Sequence, residues 1–215
     1  MIGRLFLGKY EARRLLGQGG TGSVYLCRQF NPDRYVVVKL MSEHLASDPM
    51  LRARFIREAE MMSLFRHPHA VALLDADLDD AQPFIVMEYI RGVRLDELLA
   101  KNKRFTAARV GRLVGQLCDV VQAAHDKNII HRDLKPSNLM VVEADSPDEQ
   151  IKVMDFGLSK RVDEPNVSQE QTNADGTFAV GTPGYISPEQ IRGEYTDQRA
   201  DIYSIGVIAY ELLAG

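Results

Sequence analysis

The residues best suited to chemistry lie in one stretch, His131-Arg132-Asp133-Leu134-Lys135-Pro136-Ser137-Asn138, followed downstream by Asp155-Phe156-Gly157. Asp133 can accept the proton of an attacking hydroxyl. Lys135, two residues on, can neutralise charge on a moving phosphate. Asn138 and Asp155 are hard oxygen donors suited to Mg²⁺. Together these residue types would suit phosphoryl transfer to a hydroxyl assisted by a divalent cation.

A phosphate donor needs a cradle, and Gly17-Gln18-Gly19-Gly20-Thr21-Gly22 offers one. Glycines let the backbone approach phosphate oxygens and donate N–H groups. The G-x-G-x-x-G spacing also occurs in dinucleotide-binding turns, which run from a strand into a helix. Here Ser23-Val24-Tyr25-Leu26-Cys27-Arg28 follows and reads as a strand, which favours a β-turn-β flap. Lys39 ends the run Val36-Val37-Val38-Lys39 on the next strand. Its role would be to bind the α- and β-phosphates. Glu58 shares a helix face with Phe55, Ala59 and Met62, at i, i+3, i+4 and i+7 spacing. A carboxylate on an apolar face needs a partner, and Lys39 is the candidate.

The elements that must position these groups change character near residue 90. Before it, β-rich runs predict strands at Tyr10–Leu16, Ser23–Gln29, Tyr35–Met41, Val71–Ala76 and Phe84–Tyr89. One helix interrupts them, capped by Asp48 with Pro49 in its first turn, and it ends near Phe65. After residue 92 the pattern is helical. A short helix is expected over Leu95–Lys101. A longer one runs from the Thr106 cap to His125, with Val110, Leu113, Val114, Leu117, Val121 and Ala124 as its buried stripe. Two strands, Leu139–Val142 and Ile151–Met154, flank a polar turn. The helix at 201–215 is apolar nearly all round and is expected to be core.

Composition narrows the class. The chain has 215 residues, 45% hydrophobic and 26% charged, which is ordinary for a globular protein. A net charge of -4 gives no reason to expect nucleic acid or an anionic membrane as a partner. No apolar run reaches the ~18 residues of a membrane span. Cys27 and Cys118 lack metal-site spacing and read as small, semi-buried apolar residues. A reducing, cytoplasmic compartment fits.

Together these motifs resemble a protein kinase catalytic domain, over almost the whole chain. The Gly19-Gly20 pair and Ser187-Pro188-Glu189-Gln190 look most like bacterial, eukaryotic-type serine/threonine kinases. The resemblance implies an α+β, two-lobe fold. An antiparallel β N-lobe with one helix (1–87) joins a mainly α C-lobe (93–215) through a hinge (88–92). It implies ATP and Mg²⁺ as cofactors. Val24, Val37 and Met140 would line the adenine site, with Met87 as gatekeeper and Glu88 and Ile90 supplying hinge backbone groups. Val37 departs from the family's usual alanine and adds bulk over the base. Met62, Leu73, His131 and Phe156 would form the stack that aligns the lobes in active kinases.

Lys135 and Gly181-Thr182-Pro183-Gly184-Tyr185 resemble kinases acting on Ser/Thr hydroxyls of proteins. Arg94 and Ser137 occupy the positions where arginine-directed kinases carry acids, so no strong preference for arginine at the −3 substrate position is expected. Arg132 beside Asp133 implies an activation segment ordered by phosphorylation, with Thr177 the best-placed site and Ser168 and Thr172 the others. Kinase domains continue past the helix at 201–215, so the chain is expected to be an incomplete domain, lacking the arginine that would pair with Glu189. A second copy of the chain is a candidate partner. The alternatives are a nucleotide-binding pseudokinase or scaffold, a small-molecule phosphotransferase, and a fragment inactive because its C-lobe is incomplete.

Overall fold

The computed structural model describes residues 1–156 and 183–215. They divide into two compact units: residues 1–66 with 71–91, and residues 67–70 with 92–215.

The first unit is built on a six-stranded antiparallel sheet. Its strands are β1 (Leu5–Phe6), β2 (Tyr10–Gly19), β3 (Gly22–Phe30), β4 (Asp33–Met41), β5 (Leu73–Asp77) and β6 (Phe84–Glu88). Their order is β1-β2-β3-β4-β6-β5. Register shifts in β2, between Ala12 and Arg14 and between Leu15 and Gly17, mark bulges, which bend a strand. Alternation gives the sheet two faces. Phe6, Tyr10, Ala12, Tyr25, Cys27, Val36, Val38, Leu40, Phe84 and Val86 form a continuous buried core. Val24, Val37, Lys39 and Met87 point the other way, since Val24 pairs with Lys39 and Val37 with Met87.

Helix α1 (Glu43–Ala46) and helix α2 (Pro49–Leu64) follow β4. Asp48 caps α2 by accepting from the N–H groups of Met50 (2.8 Å) and Leu51 (3.2 Å). Ala59 and Met62 are buried, as the face predicted from spacing requires. Two elements correct the expectation of a single helix on a five-strand lobe. One is the short α1. The other is β1, whose Phe6 reaches the core and meets Phe84 at 5.0 Å. A two-residue strand carries no legible alternation, so it was invisible to pattern.

The second unit contains β7 (Val93–Arg94), α3 (Leu95–Asn102), α4 (Ala107–His125), β8 (Leu139–Val142), β9 (Gln150–Val153), α5 (Pro188–Ile191) and α6 (Arg199–Ala214). Strands β7, β8 and β9 form a small antiparallel sheet. Helix α4 starts at the predicted cap, where Thr106 accepts from Arg109 N–H. Leu113, Leu117, Val120, Val121 and Ala124 are almost fully buried along it. Buried Glu149 receives Arg109, and its carbonyl accepts from Gln116, which fastens α4 to the start of β9.

Residues 67–70 join this unit although the sequence pattern assigns them to the first lobe. His69 Nδ1 bonds Ile151 O at 3.0 Å, Val153 N–H donates to His69 O, and His67 pairs with Asp119.

Two expectations need correction. Helix α6 is not core all round: Ile202, Tyr203, Tyr210 and Leu213 are exposed while Ile205, Ile208 and Leu212 are buried. Cys118 is exposed, whereas Cys27 is fully buried and desolvation pushes its thiol up to about 12. Among the described residues, no helix is long and apolar enough to cross a membrane.

Phe6 gives a direct test of the N-terminal strap. Phe6→Ala should cost about 3 kcal/mol of stability, the usual scale for deleting a buried aromatic ring. Urea denaturation of the variant against the parent chain measures it.

Candidate active site

The 3-10 turn Pro136–Asn138 and the segment before it bring three predicted residues together. Lys135 Nζ lies 2.8 and 3.0 Å from the two carboxylate oxygens of Asp133. Asn138 Nδ2 donates to Asp133 O at 2.8 Å and to Asp133 Oδ2 at 3.0 Å. With its amide nitrogen turned to Asp133, Asn138 presents its Oδ1 elsewhere, as a cation ligand must.

Asp155 is placed by the backbone beside it. Met154 N–H donates to Asn138 O at 2.9 Å, and His131 Nε2 donates to Met154 O at 2.9 Å. Asp155 follows with φ of 57°, a left-handed conformation that a non-glycine residue adopts only when its surroundings impose it. His131 Nδ1 accepts Asp133 N–H at 3.3 Å, so the two partners fix the imidazole tautomer with its proton on Nε2. Phe156 packs edge-on against His131 at 5.0 Å, so two of the four predicted stacking residues meet within this unit.

No pattern in the chain marks the residue that holds this loop. Asp201, in the first turn of α6, is fully buried. Its Oδ2 accepts His125 Nε2 (2.8 Å) and His131 N–H (2.9 Å), and its Oδ1 accepts Arg132 N–H (2.7 Å). Burial alone would push its carboxyl up. The hydrogen bond from His125 and the backbone donors of His131 and Arg132 outweigh this and hold it below the ordinary carboxylate range. Gln190 donates to Arg132 O, and Gln198 to His125 O. Arg132 sits at φ 64° between these clamps. An aspartate at the start of an apolar helix reads as a dipole-compensating residue. Only the fold shows what it touches.

In the first unit, Gly19 pairs with Gly22 around the turn Gly20-Thr21. A Cβ at Gly22 would fall 2.0 Å from Leu40 O, and Gly22 also has a positive φ of 153°. At Gly17, Gly19 and Gly20 a Cβ would meet nothing within 4 Å. Packing among the described residues does not demand glycine at these three positions. Gln18 lies in β2 opposite Ser23. Glu88 N–H donates to Ala72 O, and its carboxylate accepts Ala72 N–H. Any ligand role of the Glu88 backbone is thereby restricted to its carbonyl. Ile90 follows β6, and Met140 lies in β8 opposite Arg94 and Lys152.

The side chain of Glu58 lies outside the described residues, as do Ser168, Thr172, Thr177, Gly181 and Thr182. Among the described residues, no three His, Cys, Asp or Glu side chains group to hold a metal.

A cavity of about 670 Å³ opens beside Lys135. Asp96, Glu211, Lys103 and Ser137 are among its lining residues, so its charges are mixed. Glu211 accepts the Tyr185 hydroxyl. Burial first, and then this bond, raise the Tyr185 phenol above its ordinary value.

A two-unit chain with an Asp-Lys-Asn loop and a glycine hairpin is the arrangement of a protein kinase domain, and the family profile described as "Protein kinase domain" matches residues 10–215. The chain belongs to that family. Two bacterial relatives illustrate the match. Serine/threonine-protein kinase pkn3 of Myxococcus xanthus is 40% identical over 215 residues, covering 100% of this chain and 39% of the relative. Serine/threonine-protein kinase PknB of Mycobacterium tuberculosis is 37% identical over 211 residues, covering 96% of this chain and 32% of the relative. The chain thus spans about two fifths or less of these relatives' length. The crystal structure of the Mycobacterium tuberculosis PknI kinase domain superposes with a TM-score of 0.75 at 27% identity, covering 100% of this chain and 77% of that one.

The sign of the Asp201 contribution follows from its lowered value. Stability is fully present above the unfolded carboxyl value near ~4 and is lost as pH falls through the lower folded value. Asp201→Asn should therefore cost about 3 kcal/mol at pH 7, the scale for breaking a buried pair. The gap from the parent chain should close below about pH 4. Thermal melts of both proteins between pH 3 and 7 measure it.

Proposed function

We propose that this chain carries the catalytic machinery of an ATP-dependent protein serine/threonine kinase. The Asp133–Lys135–Asn138 constellation supports the reading most directly. A carboxylate that will take a proton lies within hydrogen-bond reach of a lysine that offsets phosphate charge and of an amide beside it.

In this reading Asp133 accepts the proton of a Ser or Thr hydroxyl. The hydroxyl oxygen bonds to the γ-phosphorus as the bond from that phosphorus to the β–γ bridging oxygen breaks, and ADP leaves with that electron pair. Lys135 offsets charge on the transferring group. Asn138 and Asp155 would hold Mg²⁺, which when bound neutralises phosphate oxygens. Lys39, held by Glu58, and the turn Gly17–Gly22 would bind the phosphates. Val24, Val37, Met87, Glu88, Ile90 and Met140 would bind the base. With a loose transition state, positioning and charge neutralisation supply most of the acceleration.

We take residues 1–87 as the N-lobe, 88–92 as the hinge and 93–215 as the C-lobe portion. Arg132 beside Asp133 supports control by phosphorylation between Ser159 and Thr182. The free cysteines Cys27 and Cys118 support a reducing, cytoplasmic setting. The mixed charge of the cavity beside Lys135 supports weak selection of basic acceptor sequences; a peptide array dominated by arginine at −3 would contradict it.

Transfer of radiolabelled γ-phosphate to a generic protein substrate, with Mg-ATP-induced thermal stabilisation measured in parallel, tests the reading. Asp133→Asn should lower transfer by roughly 10²–10⁴-fold, the span of a general base, and keep the Mg-ATP stabilisation. Lys39→Met should weaken both. Stabilisation without transfer in the parent chain would identify a nucleotide binder instead.

A further inference from the structure

We infer that Ser42 is a positioning residue for the phosphate-cradling turn, an inference that rests on the kinase reading above. Ser42 stands at the N-cap of α1, and its backbone behaves accordingly: its carbonyl accepts Ala46 N–H at 2.9 Å. Serine is favoured at such a position because its hydroxyl can accept an N–H of the first turn. Here it makes no cap bond. The Ser42 hydroxyl donates instead to Gly20 O at 3.2 Å, and Ser42 N–H donates to Thr21 O at 3.2 Å. One residue therefore holds the carbonyls of both residues at the turn of the glycine hairpin.

This grip has a consequence for the amides. The peptide bond between Gly20 and Thr21 is trans, since Asn31-Pro32 is the only cis bond among the described residues. In a trans peptide the N–H points opposite to the C=O. Drawing Gly20 O onto Ser42 turns Thr21 N–H to the far side. In a flap over phosphates, that is the donor needed.

The anchor is itself held. Met41, immediately before Ser42, has its carbonyl bonded by Gln82 Nε2 at 2.8 Å and donates its N–H to Pro83 O at 2.9 Å. The turn lies so close that a Cβ at Gly22 would overlap Leu40 O. Ser42 thus carries the rigidity of the β4–β6 edge into a turn where a Cβ at Gly17, Gly19 or Gly20 would meet none of the described residues within 4 Å. Preorganised donors bind phosphate more tightly than donors that must be ordered on binding.

The test compares Ser42→Ala and Ser42→Thr with the parent chain, by titration calorimetry of Mg-ATP and of adenosine. Ser42→Ala should weaken Mg-ATP roughly fivefold, the loss expected for one ordinary hydrogen bond, and leave adenosine within about twofold. Ser42→Thr, which keeps the hydroxyl, should restore Mg-ATP affinity. KM for ATP should rise in Ser42→Ala with kcat nearly unchanged, and exchange of the residue-42 amide, which is bonded to Thr21 O, should quicken. If the parent binds Mg-ATP and Ser42→Ala binds it equally well, or loses adenosine in proportion, the role of Ser42 is refuted. If the parent does not bind Mg-ATP at all, the kinase reading falls, and the inference with it.

Discussion

A single buried carboxylate organises the candidate catalytic loop. Asp201 has no exposed surface, and a charge in that position is tolerated only with a full set of donors. It has three, and two of them are the backbone amides of His131 and Arg132, immediately before Asp133. The loop cannot relax to an ordinary conformation without leaving Asp201 short of donors. A left-handed Arg132, costing roughly 1–2 kcal/mol on its own, is stable on those terms. The proposed base is thus placed by an interaction it takes no part in.

The same economy governs the next layer. His131 donates to Met154 O and accepts from Asp133, so one ring ties the loop carrying the proposed base to the segment carrying Asp155. Helix α6 supplies Asp201 at its start and Glu211 near its end. Ser204, between them, donates to Tyr185 O. Its inner face therefore fixes both the catalytic loop and the start of the segment at Pro183–Tyr185, which explains why polar residues interrupt an otherwise apolar helix.

In the first unit the sheet separates stability from chemistry by alternation. One face buries Val36, Val38 and Leu40 in the core, while the other presents Val37 and Lys39. A strand that must do both has nearly continuous apolar sequence, as Val36-Val37-Val38 shows. The extra strand β1 adds Phe6 to the core side. Tyr10, Lys9 and Asp75 tie that edge to β5: Tyr10 OH donates to Asp75 at 2.8 Å, and Lys9 Nζ lies 2.6 Å from the same oxygen.

Much of this was legible in the sequence, because it is encoded locally. The Asp48 and Thr106 caps, the stripe of α4 and the turn before Ser23 depend on neighbours a few residues away, and spacing reveals such relations. The order of Asp133, Lys135, Asn138 and Asp155, on which their proposed roles rest, is equally plain in the chain. What spacing could not show was any function created by distant segments meeting. Nothing in the spacing around Asp201, Ser42 or Gln190 names a partner. Their partners, Arg132, Gly20 and again Arg132, lie far off in the chain. The sequence by itself determined which groups could do the chemistry and which elements would carry them. The tertiary structure alone decided what holds those groups still, because a hydrogen-bond partner seventy or so residues away leaves no periodic trace in the chain.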